Sequence, residues 1–378
     1  MPETTQLLAD LVAIPSVNPM GREVSGPEYL EVHVGDYIES FLRPLGVSIE
    51  RQTIAPGRDN IVARYQGGSA RSILFEAHMD TVPAENMIVP PFSATFEGGR
   101  LHGRGACDVK GGLAAMLTAF ARLAREKPPH SASVLMACTV DEEHTFLGVQ
   151  RLMQGLVADE AIAAEPTQLR IVHAHKGVVR WHLTTPGRSC HSSTPDQGVN
   201  AIYRMGKLLA ALESYGGQLN ATRRDPILGP ATLSVGRIEG GSSVNTVPDR
   251  CVIEIDRRLI PGEEPDAVRT ELGEFLRNDG RIDFPFELSP AWIKCPALSS
   301  DNSTELVQRL GASIAAVLGS HQVEVVPYGT DASTIARAGI PTVVFGPGDI
   351  AQAHTSDEWI DLEQLEQASE ILYRFAAS

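Results

Sequence analysis

At 378 residues the chain exceeds what one core of about 150 residues holds, so two or three domains are expected. Hydrophobic residues make up 43% and charged residues 21%, the balance of a folded globular protein without long disordered tracts. The net charge of -15 repels phosphate backbones and anionic headgroups, so neither nucleic acid nor membrane is an expected partner.

The N-terminus MPETTQLLADLVAIPSVNP has no basic leader, its apolar run is broken by Asp10, and no later stretch nears the roughly 20 apolar residues of a membrane span. Five cysteines, Cys107, Cys138, Cys190, Cys251 and Cys295, are widely spaced and form no CxxC pair. Neither a disulfide framework nor a thiolate zinc site is expected, and a reducing cytoplasm fits best.

From Asn60 to Asp80 the text reads as strand IVARY, a GGSAR turn and strand SILFEAHMD, too continuously apolar for a strand with one wet face. There follow the Ala-rich helix GGLAAMLTAFARLAREK, strand SVLMACTV, a helix near Leu147 to Leu156 and strand EAIAAE. Strands alternating with helices predict a layered α/β domain. Between Val178 and about Pro290 the order becomes VVRWHLTT (strand), NAIYRMGKLLAALESY (helix), TLSVGRIEG and CVIEIDRRL (strands), EPDAVRTELGEFLR (helix) and FPFELSP (strand), which is the β-α-β-β-α-β order of a ferredoxin-like unit. The α/β pattern then resumes through TELVQRLGASIAAVLG, VEVVPY, a helix around Asp331 to Ala338, PTVVFG and a last helix from Leu362. The expectation is a catalytic α/β domain from 1–176 and 291–378, with an inserted ferredoxin-like domain over 177–290.

Five residues with metal-ligand chemistry fall at or just beyond predicted strand ends, where open α/β sheets place ligand sites. In EAHMD a period of two puts His78 and Asp80 on one face, the arrangement in which a carboxylate fixes a ligating imidazole. GRGACDVKGG is glycine-rich, but Asp108 replaces the third glycine of GxGxxG and would repel phosphate, so a cation suits it better. Asp141-Glu142-Glu143 crowds three carboxylates at a buried strand end, a repulsion that cations offset; we assign Glu143 to metal and Glu142 to the attacking water. Glu165 closes EAIAAE, and His354 lies on the Gly-rich loop after PTVVFG. Two imidazoles and three carboxylates suit Zn, Co or Mn, and suffice for two divalent ions if Asp108 bridges. His173 and His175 in IVHAHKG also alternate, but no third donor accompanies them and a structural role is expected. His102 and His144 lie near the site in sequence, yet the set is complete without them.

These motifs, EAHMDTVP, GRGACDVKGG, TVDEE and AAEPT, together with HSSTPDQGVNAI, IDRRLIPG, GTDA and GPGDIAQAHTSDEWI, resemble the acetylornithine deacetylase / succinyl-diaminopimelate desuccinylase / aminoacylase family of M20-type metallopeptidases. The resemblance spans nearly the whole chain. It implies a zinc-exopeptidase-like catalytic domain with an inserted dimerisation lid, and Zn or Co as the usual metals. It further implies His78, Asp108 and Glu165 around one ion and Asp108, Glu143 and His354 around the other, with Asp80 as supporting acid and Glu142 as general base. His191, in CHSSTP, would reach a neighbouring subunit's site to stabilise the oxyanion, making a homodimer the expected assembly. Arg258 would grip a substrate carboxylate and Asn245 would lie near the same group; both also read as solvated lid residues. Cys107 and Cys190 stand before Asp108 and His191, where the family more often has Ala or Gly; both read as small buried hydrophobes, with a reactive or metal-binding thiol as the alternative.

The implied reaction is hydrolysis of the amide of an N-acyl amino acid or short peptide, with Glu142 as general acid/base. EPTQ, AHKG, HSSTPDQGVNAI and GPGDIAQAH look nearest to acetylornithine deacetylases. Desuccinylase and carboxypeptidase or dipeptidase activity stay open, as does a metal-binding protein of the same fold without catalysis.

Overall fold

A computed structural model describes all residues from Met1 to Ser378. The chain forms two compact units, one of Met1–Ala174, Ser299–Val325 and Thr330–Ser378, the other of His175–Leu298 and Val326–Gly329. No helix is long and apolar enough to cross a membrane.

The first unit is built on an eight-stranded sheet. Its centre is four parallel strands in the order Ser133–Thr139, Ser72–His78, Glu160–Ala163, Thr342–Val344. Their side chains are buried on both faces, as the unbroken apolar runs require. Two antiparallel strands, Ser48–Ala55 and Arg58–Tyr65, extend one side; Ile171–His175 and Val323–Val326 extend the other. Parallel pairing aligns the C-terminal ends of the four central strands on one rim, and the segments beyond those ends carry the candidate ligands.

Helix Lys110–Glu126 is buried over nearly its whole length. Its alanines and glycines allow this: a Cβ on Gly112 would come within 2.8 Å of the Ala164 Cβ, so only glycine lets the helix start lie against the strand end that carries Glu165. Helices Glu3–Ala13 and Leu362–Ala377 pack beside it and share its apolar core.

The second unit has an antiparallel sheet in the order Thr232–Gly240, Arg250–Leu259, Gly177–Pro186, Glu287–Leu288, with helices Ala201–Thr222 and Pro265–Arg277. This is the ferredoxin-like order. Strand alternation buries Trp181, Leu183, Ile253 and Ile255 in its core and leaves Arg180, His182, Asp256 and Arg258 on the opposite face. The run FPFELSP, expected as one strand, is strand only at Glu287–Leu288; pairing with Gly177–Pro186 resumes at Ile293–Cys295. The two prolines, Pro285 and Pro290, lack the N–H that a continuous ladder needs. Helix Leu147–Leu152 is likewise shorter than its sequence pattern suggests, ending before Gly155, whose φ is +99°.

Candidate metal centre

Four strand ends and one helix start deliver the rim side chains. His78 is the last residue of its strand, Glu142 and Glu143 follow Ser133–Thr139, Glu165 follows Glu160–Ala163, and His354 lies in the loop after Thr342–Val344. Asp108 stands just before helix Lys110–Glu126, joined to Val109 by a cis peptide bond.

The structure brings these six residues together. Asp108 faces both imidazoles, with Oδ1 3.3 Å from His78 Nε2 and Oδ2 3.3 Å from His354 Nε2. His354 Nε2 is also 3.2 Å from Glu143 Oε2, and Glu142 Oε2 is 4.0 Å from His78 Nε2. Donor atoms within 4.8 Å of one another form two triads sharing His78: one with Glu142 and Glu165, one with Asp108 and Glu143. His78 Nε2 and Glu143 Oε1 are buried without a hydrogen-bond partner. Nitrogen and oxygen donors left unsatisfied in a carboxylate-rich cage fit divalent cations.

The electrostatics agree. Burial, reinforced by neighbouring carboxylates, pushes the carboxyls of Glu142 and Glu165 well above their usual range and that of Glu143 up to about 7. Burial alone would also raise Asp108, but the imidazoles of His354 and His78 facing its two oxygens outweigh it and hold this carboxyl far below the usual range. Asp108 and Glu143 in turn push His354 up to about 11. His78 is raised too: burial opposes its charge, and Asp108 and Glu142 overcome that opposition. The imidazoles serve as counterions to carboxylates that would otherwise repel one another.

Asp80 faces His78, as its spacing suggests, and also holds the neighbouring turn. Its carboxylate lies 3.6 Å from His78 Nδ1, while its backbone carbonyl meets that nitrogen at 2.9 Å. The carboxylate also accepts the N–H groups of Glu142 and Glu143, both at 3.2 Å, and Asn18 Nδ2 at 2.8 Å. Asp80 thus holds the turn that presents the two glutamates. Asp141, at φ +68°, turns away from them and accepts from Arg58, Asn18 and Thr145.

Several contributors are not evident from the sequence. Asn18 sits in PSVNP and Asp331 in GTDA, motifs that by themselves assign these residues no role; Arg58 and Glu76 lie in no functional motif. Thr139 Oγ donates to Glu76 Oε1 at 2.6 Å and lies 3.3 Å from Asp331 Oδ2, forming a buried acid pair beneath the rim. In the second unit, His191 and Asn245 lie in adjoining loops: His191 pairs with Thr246, and Ser192 N donates to the Asn245 carbonyl at 3.0 Å. Arg258 is held by Asp256 through Nε at 2.7 Å and Nη2 at 3.2 Å. Cys107 is fully buried, whereas Cys190 is partly exposed.

Residues 74–378 match the model of peptidase family M20/M25/M40. The chain belongs to this family. An acetylornithine deacetylase of Myxococcus xanthus is 33% identical over 354 residues, covering 90% of each chain, and one of Proteus mirabilis is 30% identical over 98% of this chain and 95% of its own. The M20 metallo-carboxypeptidase Sso-CP2 of Sulfolobus solfataricus superimposes with a TM-score of 0.81 at 20% identity, covering 100% of this chain and 99% of that one. A dinuclear metal-binding M20 peptidase of Bacillus subtilis gives 0.69 at 17% identity, over 99% and 96% of the two chains. This M20 member is accordingly a metal-dependent amidohydrolase that uses divalent ions and acts on small acyl amino acids or peptides.

Proposed function

We propose that the chain removes the acyl group from an N-acyl amino acid in the manner of an acetylornithine deacetylase. Two ions, most simply Zn with Co or Mn as substitutes, would be held by His78, Asp108 and Glu165 and by Asp108, Glu143 and His354. When bound they supply acidification of water and polarisation of the scissile carbonyl. The observation that carries the reading is Glu142: a carboxyl raised by burial stands among the ligands, 4.0 Å from His78 Nε2, ready to take a proton from water and hand it to the leaving amine.

His191 donates a hydrogen bond to the developing oxyanion. Arg258 exchanges Asp256 for the substrate's carboxylate, which offers the same two-oxygen geometry. Asn245 lies near that carboxylate. Residues 177–290 act as a lid that dimerises, bringing His191 to a partner's site. An exposed edge strand, Thr232–Gly240, with Ile238 52% exposed, and Tyr203, 76% exposed on the neighbouring helix, support this assembly. The Cys107 thiol, buried and pushed up by burial and then by Glu358 and Asp108, has no reactive part. The cytoplasm is the proposed location.

A panel of acetylornithine, succinyl-diaminopimelate, acetylmethionine and dipeptides tests the reading. Amine release is expected fastest from acetylornithine. Preference for dipeptides or the succinylated substrate would move the assignment to those family branches, and no release from any would overturn it. Glu142→Gln is expected to lower kcat by about 10²- to 10⁴-fold with metal content unchanged.

A further inference from the structure

The glycine-rich loop GRGACD has the convergent N–H groups of an anion-binding concavity, and its occupant is the protein itself. Glu358 Oε1 accepts the N–H groups of Cys107 at 2.9 Å and Asp108 at 3.0 Å; Oε2 accepts that of Gly105 at 3.1 Å and Arg104 Nη1 at 2.7 Å. Glu358 and Arg104 are both fully buried. Asp108 is therefore fixed at both ends, its backbone by Glu358 and its carboxylate by the two imidazoles.

Glu358 also belongs to the segment that carries His354. Its carbonyl accepts Gly103 N at 3.0 Å, and the next residues, Trp359–Asp361, pair with Arg100–His102. At Gly348, φ is +92° and a Cβ would come within 2.7 Å of Cys107 Sγ, so the two ligand loops lie backbone against side chain. One loop thus supplies a ligand of its own and the clamp on the other loop's ligand.

We propose that Glu358 is a positioning residue for both ions at once, acting through the placement of Asp108. This rests on the reading of Asp108 as the bridging ligand. A buried carboxylate serving only as Arg104's counterion has no need of three loop amides. Glutamine at this position replaces one accepting oxygen with a donor, which must face either Arg104 or amide N–H groups. Aspartate keeps the charge but withdraws it by one methylene.

The test is titration of metal-free protein with Co²⁺, followed by optical absorption, well below the melting temperature of each variant. In Glu358→Gln both binding steps are expected to weaken by about 10- to 100-fold, whereas His354→Ala weakens one step. Glu358→Asp guards against a glutamine variant that fails to fold, and is expected to weaken both steps as well. Loss of fold stability alone lowers the melting temperature without changing Co²⁺ affinity of the folded chain. If the folded Glu358 variants bind both ions normally, or lose only one step, while Asp108→Asn loses both, the proposal is overturned and the bridging role stands. If Asp108→Asn itself binds Co²⁺ normally, the reading beneath it fails.

Discussion

Two histidines close strands of the same eight-stranded sheet, His78 at the end of Ser72–His78 and His175 at the end of Ile171–His175. Both are buried. Yet the carboxylates around His78 hold its imidazole well above the usual range against the effect of burial, whereas burial pushes His175 down to about 4. His175 meets the Lys176 carbonyl through Nδ1 at 3.0 Å and pairs through its backbone with Leu298. Position on a strand does not make a ligand. The acids converging from other strand ends make His78 one side of a candidate cation site; burial favours the neutral form of His175.

The largest consequence is that only the His78 rim should answer to metal removal. Chelation should abolish activity and lower the apparent stability by about 4 kcal/mol for an ion present at a thousand times its Kd. Zn²⁺ or Co²⁺ should restore both, and thermal melts with and without chelator would show it. A melt indifferent to chelation would break the contrast at its centre.

His175 should show itself through protons instead. Its folded value, about 4, lies below its ordinary 6.5, so the unfolded chain binds the extra proton between those pH values. The stability it contributes is whole above pH 6.5 and is lost as pH falls through 4, about 3 kcal/mol in all. Urea unfolding at neutral and acid pH should therefore show the native chain losing more stability on acidification than His175→Gln. Equal losses would remove His175 as a neutral buried group.

Much of this architecture is legible in the amino-acid sequence. Apolar runs and alternation locate the central strands, and with them the rim where His78, Asp108, Glu143, Glu165 and His354 gather. Residues that act through shape are not legible in the same way. Asn18, Arg58 and Glu358 reach the site across long sequence separations, and no local periodicity announces a side chain whose partners are backbone amides or other side chains. Helices Glu3–Ala13 and Val32–Leu42, with strand Ser48–Ala55, have no counterpart among the predicted elements. The exposed, irregularly patterned Ser48–Ala55 edge strand gives no clean period of two. Spacing pairs the Asp80 carboxylate with His78; it does not announce that the Asp80 carbonyl makes the shorter contact or that the carboxylate also holds the Glu142 turn.

Asn18 offers a sharper cut. Its Nδ2 donates to Asp80 at 2.8 Å and to Asp141 at 3.0 Å, and it is 1% exposed, so its amide separates two acids beside the candidate metal rim. Asn18→Leu should lower kcat by about 10- to 100-fold while changing KM less. Asn18→Asp should be worse, since it sets a third carboxylate between two others. Steady-state kinetics decide it, and an active aspartate variant would sink the positioning role.

The smallest expected effect comes from His173, two residues before His175 on the same strand face. It is only partly buried, and burial is the sole cause of its lowered imidazole; no carboxylate contributes. A ring with no acid beside it has nothing with which to share a cation. His173→Gln should therefore leave metal content untouched and alter stability by no more than about 0.5 kcal/mol, by metal analysis and urea unfolding. Loss of an ion in that variant would place a cation beside the HAH strand, and the distinction between the two strand ends would dissolve.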